Sequence, residues 1–383
     1  MPKPFSDRVN VFQESRLPEL ALPIGYAALI DAYELRAPLP LTLCAIGKRH
    51  KVYEDGGWRI YTPRHEPKAT LEGHLTFALK YEGLDLAVLK RLFLALEPEE
   101  LAAIIRAKPS SAYMRRIWFL YEWLTGGILD LPDAKAGTYA DIIDPKQQWA
   151  LEGETSTRHR VRNNLPGTPA FCPLIRRTGK LVRFVEVKLD EQARDVIGKI
   201  SAGVLARTAA FLLLKDSKSS YAIEGEAPPQ DRIQRWGKAI GEAGKYPLDQ
   251  DELLRLQRIV IGNDRFVRLG FRDEGGFVGE HDRDTRLPLP DHISARHEDL
   301  SGLIQGLIDF DHRCAGGIDP ILAAAVLAFG FVYVHPFEDG NGRIHRYLIH
   351  HVLSARGFNP AGIVFPVSSA ILERIEDYRR VLE

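Results

Sequence analysis

Residues 335 to 346 read HPFEDGNGRIHR, and the segments on either side both carry helical patterns. Upstream, DPILAAAVLAFGFVYVH offers Asp319 as an N-cap and Pro320 at the first helical position, followed by about four turns of mostly apolar residues. This predicts a buried helix that ends near His335. Downstream, NGRIHRYLIHHVLSARG spaces Ile344, Leu348, Ile349, Val352 and Leu353 at helical intervals, with Gly357 as a stop. The dodecapeptide therefore opens a helix N-terminus, which constrains both the local fold and its chemistry.

A helix N-terminus presents unpaired N–H groups and partial positive charge, and Gly340 and Gly342 let the backbone approach an anion closely. Such a site suits phosphates. Arg343 begins the helix and Arg346 lies three residues on, so both guanidinium groups reach toward the same end and can bracket a di- or triphosphate. Asp339 supplies a hard oxygen ligand, and Mg²⁺ bound with phosphates needs only one or two protein carboxylates. His335, with an ordinary pKa near 6.5, can take a proton from an alcohol attacking phosphorus, help worth about 10²–10⁴-fold. Taken singly, a histidine at a helix end or a Gly-Asn-Gly turn is usually structural; the whole constellation points to catalysis. No HExxH or cysteine pair accompanies His345, His350 and His351, and they are assigned no role.

The dodecapeptide matches HPFx(D/E)GNGRxxR, the signature of the Fic family, at every specified position: His335, Pro336, Phe337, Asp339, Gly340, Asn341, Gly342, Arg343 and Arg346. The chain resembles that family over roughly residues 185 to 383. The resemblance implies transfer of AMP from ATP to a Tyr, Thr or Ser hydroxyl of a target protein, with release of pyrophosphate. It implies catalytic roles for His335 as general base and Asn341 as phosphate orienter. Gly340, Gly342, Arg343 and Arg346 would bind the nucleotide, Asp339 would hold Mg²⁺, and Phe337 would anchor the loop. Relatives that phosphorylate their targets replace the second glycine with lysine; Gly342 is retained, which favours nucleotidyl transfer.

Ser220-Tyr-Ala-Ile-Glu224-Gly225 resembles the family's inhibitory pattern (S/T)xxxE(G/N), placed as in members with an N-terminal inhibitory helix. The resemblance implies that Glu224 pairs with Arg346, removes a γ-phosphate ligand and leaves a negative charge where that phosphate belongs. In such members the same glutamate can position a water for AMP removal. Between the two motifs, Gly275-Gly276 and Gly279 flank Phe277 and Val278, a pattern that reads as a hairpin or flap. In the family this hairpin holds the target segment as an added strand, recognised through backbone hydrogen bonds.

A length of 383 residues suggests two or three domains, and 45% hydrophobic residues is ordinary for a globular chain. The expected fold is mainly α: a helical Fic fold with a β-hairpin flap over 185–383, preceded by a mostly helical domain over 1–150. In that first domain VYEDGGWRIYTPRH forms a β-hairpin around Gly56-Gly57, and Trp118, Phe119, Tyr121 and Trp123 form helix core. Residues 155–183 hold seven Lys or Arg, no acid and three prolines, the composition of an irregular connector spanning about 151–184. The run ILERIEDYRRVLE reaches Glu383 without Gly or Pro, as expected of a chain shortened at its C-terminus.

The 51 basic and 51 acidic residues cancel, which argues against a globally nucleic-acid-binding surface. Cys44, Cys172 and Cys314 are odd in number and widely spaced, so no disulfide framework or zinc site is expected and a cytoplasmic location fits. The run Ile321–Val334 is too short to span a bilayer. The expected partners are ATP and a protein bearing a hydroxyl, with self-modification and homo-oligomerisation left open. Two rivals remain: AMP removal or transfer of another nucleotide on the same fold, and a nucleic-acid-binding regulator built from the N-terminal half and the basic segment.

Overall fold

The computed structural model describes residues 4, 5, 7–262, 267–360 and 362–382. Two compact units divide the chain: Met1–Leu165 with Leu174–Arg177, and Pro166–Pro173 with Thr178–Glu383.

In the first unit, strands β1 (Val9–Phe12), β2 (Ser15–Ile24), β3 (Leu43–Ile46), β4 (Tyr53–Asp55) and β5 (Trp58–Tyr61) form one mixed sheet in the order β1-β2-β3-β5-β4. The expected hairpin is its β4–β5 edge: Asp55 pairs with Trp58 across a two-residue turn. Gly56 and Gly57 both have positive φ there, as the tight hairpin turn demands. The other three strands were not read from sequence, because β2 spans Pro18 and Pro23, and β3 is a short run buried throughout. Helix α1 (Tyr26–Ala32) follows β2, and α2 (Leu71–Phe77), α3 (Leu86–Ala95), α4 (Pro98–Ala107) and α5 (Ala112–Thr125) follow the sheet. Thr70, Asp85 and Ser111 cap α2, α3 and α5 with their side chains. Trp118, Phe119 and Tyr121 are buried on α5 as expected.

The basic segment is more regular than its composition indicates. Strands β6 (Ala140–Asp141), β7 (Glu154–Ser156) and β8 (Val161–Asn163) make a three-stranded sheet, and Arg158 and Arg162 pair with Glu122, Asp133 and Asp141. The arginines are thus matched by acids distant in sequence, a pairing that local composition cannot reveal.

The second unit is helical: α6 (Gly179–Glu186), α7 (Leu189–Ile197), α8 (Ala202–Ala222), α9 (Gln230–Gly241) and α10 (Gln250–Ile261) precede the hairpin β9 (Phe277–His281) and β10 (Pro288–Ile293). Then come α11 (Leu300–Arg313), α12 (Pro320–Val334), α13 (Asn341–Ala355), α14 (Val367–Leu372) and α15 (Ile375–Leu382). Apolar residues recur at helical spacing from Glu191 through Leu214, yet the helix breaks around Gly198, and Ser201 takes the N-cap position of α8. The C-terminal run likewise breaks between Leu372 and Ile375, and Glu383 lies outside the described residues. Asp319 accepts the N–H groups of Ile321 and Leu322 at the start of α12, with Pro320 in its first turn. The core joins Trp236, Leu256, Phe310, Phe331, Phe337, Ile344, Tyr347 and Val352, so α12 and α13 are packed on several sides. Among the described residues no helix is long and apolar enough to cross a membrane.

Candidate active site

Helix α12 ends where His335 turns into the left-handed region, at φ 52° and ψ 62°, its N–H still bonded to Phe331 O at 3.0 Å. This conformation is unfavourable for a residue with a Cβ and persists only where the surroundings hold it. Phe337 supplies one anchor: it is fully buried and stacks on Phe271 at 5.1 Å. Burial pushes the His335 imidazole down to about 4, opposed by a hydrogen bond to the Val332 backbone, with smaller contributions lowering it from His292 and Arg272 and raising it from Asp339. The ring is therefore neutral at pH 7, ready to accept a proton.

Gly340, at φ 93°, lets the chain enter α13, whose N-terminus carries no side-chain cap. The leading N–H groups of that helix lack intrahelical carbonyl partners, which suits an anion. Asn341 is 2% exposed and cross-braces the loop: its Oδ1 accepts Phe337 N–H at 3.0 Å and its Nδ2 donates to Phe337 O at 2.8 Å. Both ends of the Asn341 amide are thus engaged by the loop backbone, while the residue also lines the cavity. Asp339 Oδ1 accepts Gly340 N–H at 2.5 Å and lies 3.4 Å from Arg343 Nη2, and the side chain stays half exposed. No cluster of three or more metal-ligating side chains occurs among the described residues. An exposed carboxylate beside a phosphate cradle does, however, fit Mg²⁺ carried with a nucleotide, which needs only one or two protein carboxylates.

Both motif arginines are almost fully buried, and carboxylates from the end of α8 cover them. Arg346 donates from Nη2 to Glu224 Oε1 and to Ser220 O, both at 2.8 Å, and from Nε to Ser220 Oγ at 3.2 Å. Arg343 lies 3.0 Å from Glu224 Oε2 and 2.9 Å from Glu226 Oε1, and its guanidinium sits over Tyr221 at 5.1 Å. Those two ion pairs are close but poorly aligned, since Nε and Nη1 make no geometrically sound hydrogen bond. Gly225, at φ 72°, allows the turn that aims Glu224 back at α13. A Cβ at position 342 would collide with Glu224 Oε1, so Gly342 gives the carboxylate its place.

Glu224, Glu226, Gly342 and Arg346 line a cavity of about 550 Å³ together with Val278, His292, Tyr333 and Tyr378. That size is ordinary for a small-molecule site. His335, Asp339, Gly340, Asn341, Gly342, Arg346 and Glu224 all face it. The two flap residues part company. Antiparallel register puts Val278 opposite His292 and Phe277 opposite Ile293, so Val278 and Phe277 lie on opposite faces. Val278 lines the cavity, whereas Phe277 packs edge-on against His281. Sequence reasoning missed Glu226, His292, Arg272 and Tyr378. Glu226 stands one residue beyond the inhibitory pattern, and the other three lie in segments with no motif to mark them.

Comparison with known proteins places a Fic/DOC family match over residues 247–353. The chain is 30% identical over 208 residues to the protein adenylyltransferase Fic of Nematostella vectensis, covering 46% of each protein. It is 34% identical over 120 residues to the protein adenylyltransferase fic-1 of Caenorhabditis elegans, covering 31% of this chain and 21% of that one. The chain thus spans less than half the length of these relatives. Among solved structures, a Fic family protein from Desulfovibrio desulfuricans aligns at 22% identity, over 53% of this chain and 64% of that one, with a TM-score of 0.41. Fic-1 of C. elegans aligns at 16% identity, over 84% of this chain and 89% of that one, with a TM-score of 0.37.

Proposed function

We propose that this chain, which carries a Fic/DOC domain over residues 247–353, is a protein adenylyltransferase held in check by Glu224. The observation that carries the reading is the convergence of the neutral His335, the exposed Asp339, an uncapped helix N-terminus and the buried Arg346 on a single cavity, with the buried Arg343 held by the same Glu224.

In this account the target hydroxyl gives its proton to His335 as its oxygen bonds to the α-phosphorus, and the bond from that phosphorus to the bridging oxygen of pyrophosphate breaks. The N–H groups opening α13 hold phosphate oxygens, while Arg343 and Arg346 neutralise the charge that gathers on the leaving pyrophosphate. Asp339 would hold Mg²⁺, which supplies further neutralisation of phosphate charge when bound. Val278 and the backbone of the hairpin keep the target segment beside His335. With Glu224 on both arginines, a triphosphate meets a carboxylate where its outer phosphates belong, so the resting protein is quiet.

The test is label transfer by the Glu224→Gly variant to protein in a lysate. Label in the α-phosphate of ATP should appear on protein and label in the γ-phosphate should not, and unlabelled ATP should compete better than UTP or GTP. Transfer of the γ label would contradict the nucleotidyl reading.

A further inference from the structure

Arg272 lies outside every motif, yet it is 7% exposed, and among the described residues all the hydrogen-bond partners of its side chain are backbone carbonyls. Its Nε donates to His335 O at 2.7 Å, Nη1 to Glu274 O at 2.7 Å, and Nη2 to Ala295 O and, at 3.4 Å, to Val334 O. Its own N–H donates to Pro336 O at 3.0 Å. Two neighbours extend the pattern: Ala295 N–H donates to Val334 O at 3.3 Å, and His292 Nε2 lies 2.7 Å from Tyr333 O. Four successive carbonyls, 333 to 336, thus accept hydrogen bonds from residues that flank or belong to the β9–β10 hairpin.

Carbonyls at a helix C-terminus have no intrahelical partner and are usually met by water or a capping glycine. A buried guanidinium with no carboxylate partner among the described residues is costly, and burial lowers its proton affinity here. The partial negative charge at the end of α12 compensates for it. Only a planar fork with several fixed donors reaches carbonyls on both sides of the hairpin base and on the catalytic turn together; a lysine offers one point of charge.

Resting on the transferase reading, we propose that Arg272 is a positioning residue for AMP transfer, fixing the left-handed His335 turn and the base of the flap as one rigid piece. The flap sets where the target hydroxyl lies and the turn sets where its base lies. One guanidinium therefore governs the distance between them, and an error near 1 Å in such a distance can cost about 10²-fold in rate. Its charge also helps keep the His335 ring neutral.

The experiment compares Arg272→Lys and Arg272→Gln in the Glu224→Gly background, reading kcat, KM for ATP, thermal unfolding and the His335 ring titration by NMR. The expected result is a kcat loss of about 10²-fold in both variants with KM for ATP changed by no more than about threefold, because the nucleotide groups on α13 do not touch Arg272. The His335 midpoint should rise in the glutamine variant, where the charge is gone, and stay close to the parent's in the lysine variant. Lysine should restore thermal stability more than rate. The proposal is overturned if kcat is unchanged, or if kcat, ATP affinity and stability fall together and lysine restores all three. Should the glutamine variant fail to fold, the lysine variant decides by its split between rate and stability. No transfer by the parent would overturn the transferase reading and this role with it, whereas an active parent with indifferent Arg272 variants overturns this role alone.

Discussion

His335 combines two demands on one residue. Its backbone must turn the chain between two buried helices, and its ring must be a free base at neutral pH. Desolvation meets the second: the ring is driven down to about 4, so it binds a proton only as pH falls through that value. In the protein without nucleotide, the His335 NMR titration should therefore have its midpoint well below the ordinary 6.5. A midpoint between 6 and 7 would mean that the ring is solvated and that the site as described is too closed. Motif residues such as Asp339, Gly340 and Arg346 were legible because their roles depend on spacing along one loop and helix. Asn341 was legible as a motif position but not as a brace, since the chain alone does not say whether its amide turns to ligand or to Phe337. Arg272 and His292 reach the carbonyls of His335 and Tyr333, 63 and 41 residues away, a relation with no local trace.

Among elements, the residues that follow α8 cover the motif arginines. Glu224 spans both arginines, and Glu226 adds a second carboxylate beside Arg343. With Glu224 replaced by glycine, Glu226 still faces the nucleotide cavity, so Glu226→Gln in that background should tighten ATP binding by about 2–10-fold by removing one repelling charge. Calorimetric affinities equal for the two proteins would show that Glu226 has no share in the proposed brake. The α12–α13 pair carries a different sensitivity. His345 is buried, with Nδ1 2.7 Å from Ala328 O, and burial pushes it down to about 4. Between about 6.5 and about 4 the unfolded chain binds a proton that the folded one refuses, so stability is full above pH 6.5 and falls as pH drops toward 4, by up to about 3 kcal/mol. His345→Asn keeps a donor for Ala328 and removes the titration. Its thermal midpoint should fall less between pH 7 and pH 5 than that of the wild type, and an equal fall would place the acid sensitivity elsewhere. The helices themselves were legible from apolar spacing and from Asp319-Pro320, but their interruptions at Gly198 and before Ile375 were not, because apolar spacing continues through both.

At the scale of the whole molecule, the partition of the chain was the least legible feature. Residues 166–173 belong with the helical unit although the flanking segments 154–163 and 174–177 belong with the first. Phe171 explains the assignment: its ring meets Phe310 edge-on at 5.8 Å and lies against Gly330, and its Cβ and backbone lie against Gly306, at both of which an added Cβ would find no room. These contacts link positions more than a hundred residues apart, and a proline-rich basic stretch gives no hint of them. Phe171→Ala should destabilise the helical unit by about 2 kcal/mol, a partly buried aromatic losing somewhat less than a fully buried one. In denaturant unfolding the midpoint should fall with little change in slope, and an unchanged midpoint would mean that residues 166–173 are not part of that unit's core.

The central claim is AMP transfer by His335 under the restraint of Glu224. It is tested most directly by incubating the wild type, Glu224→Gly, and Glu224→Gly with His335→Ala with Mg²⁺, α-labelled ATP and lysate. Strong protein labelling by Glu224→Gly alone, with the other two near background, is the predicted result. Equal labelling by all three, or by none, would contradict the account.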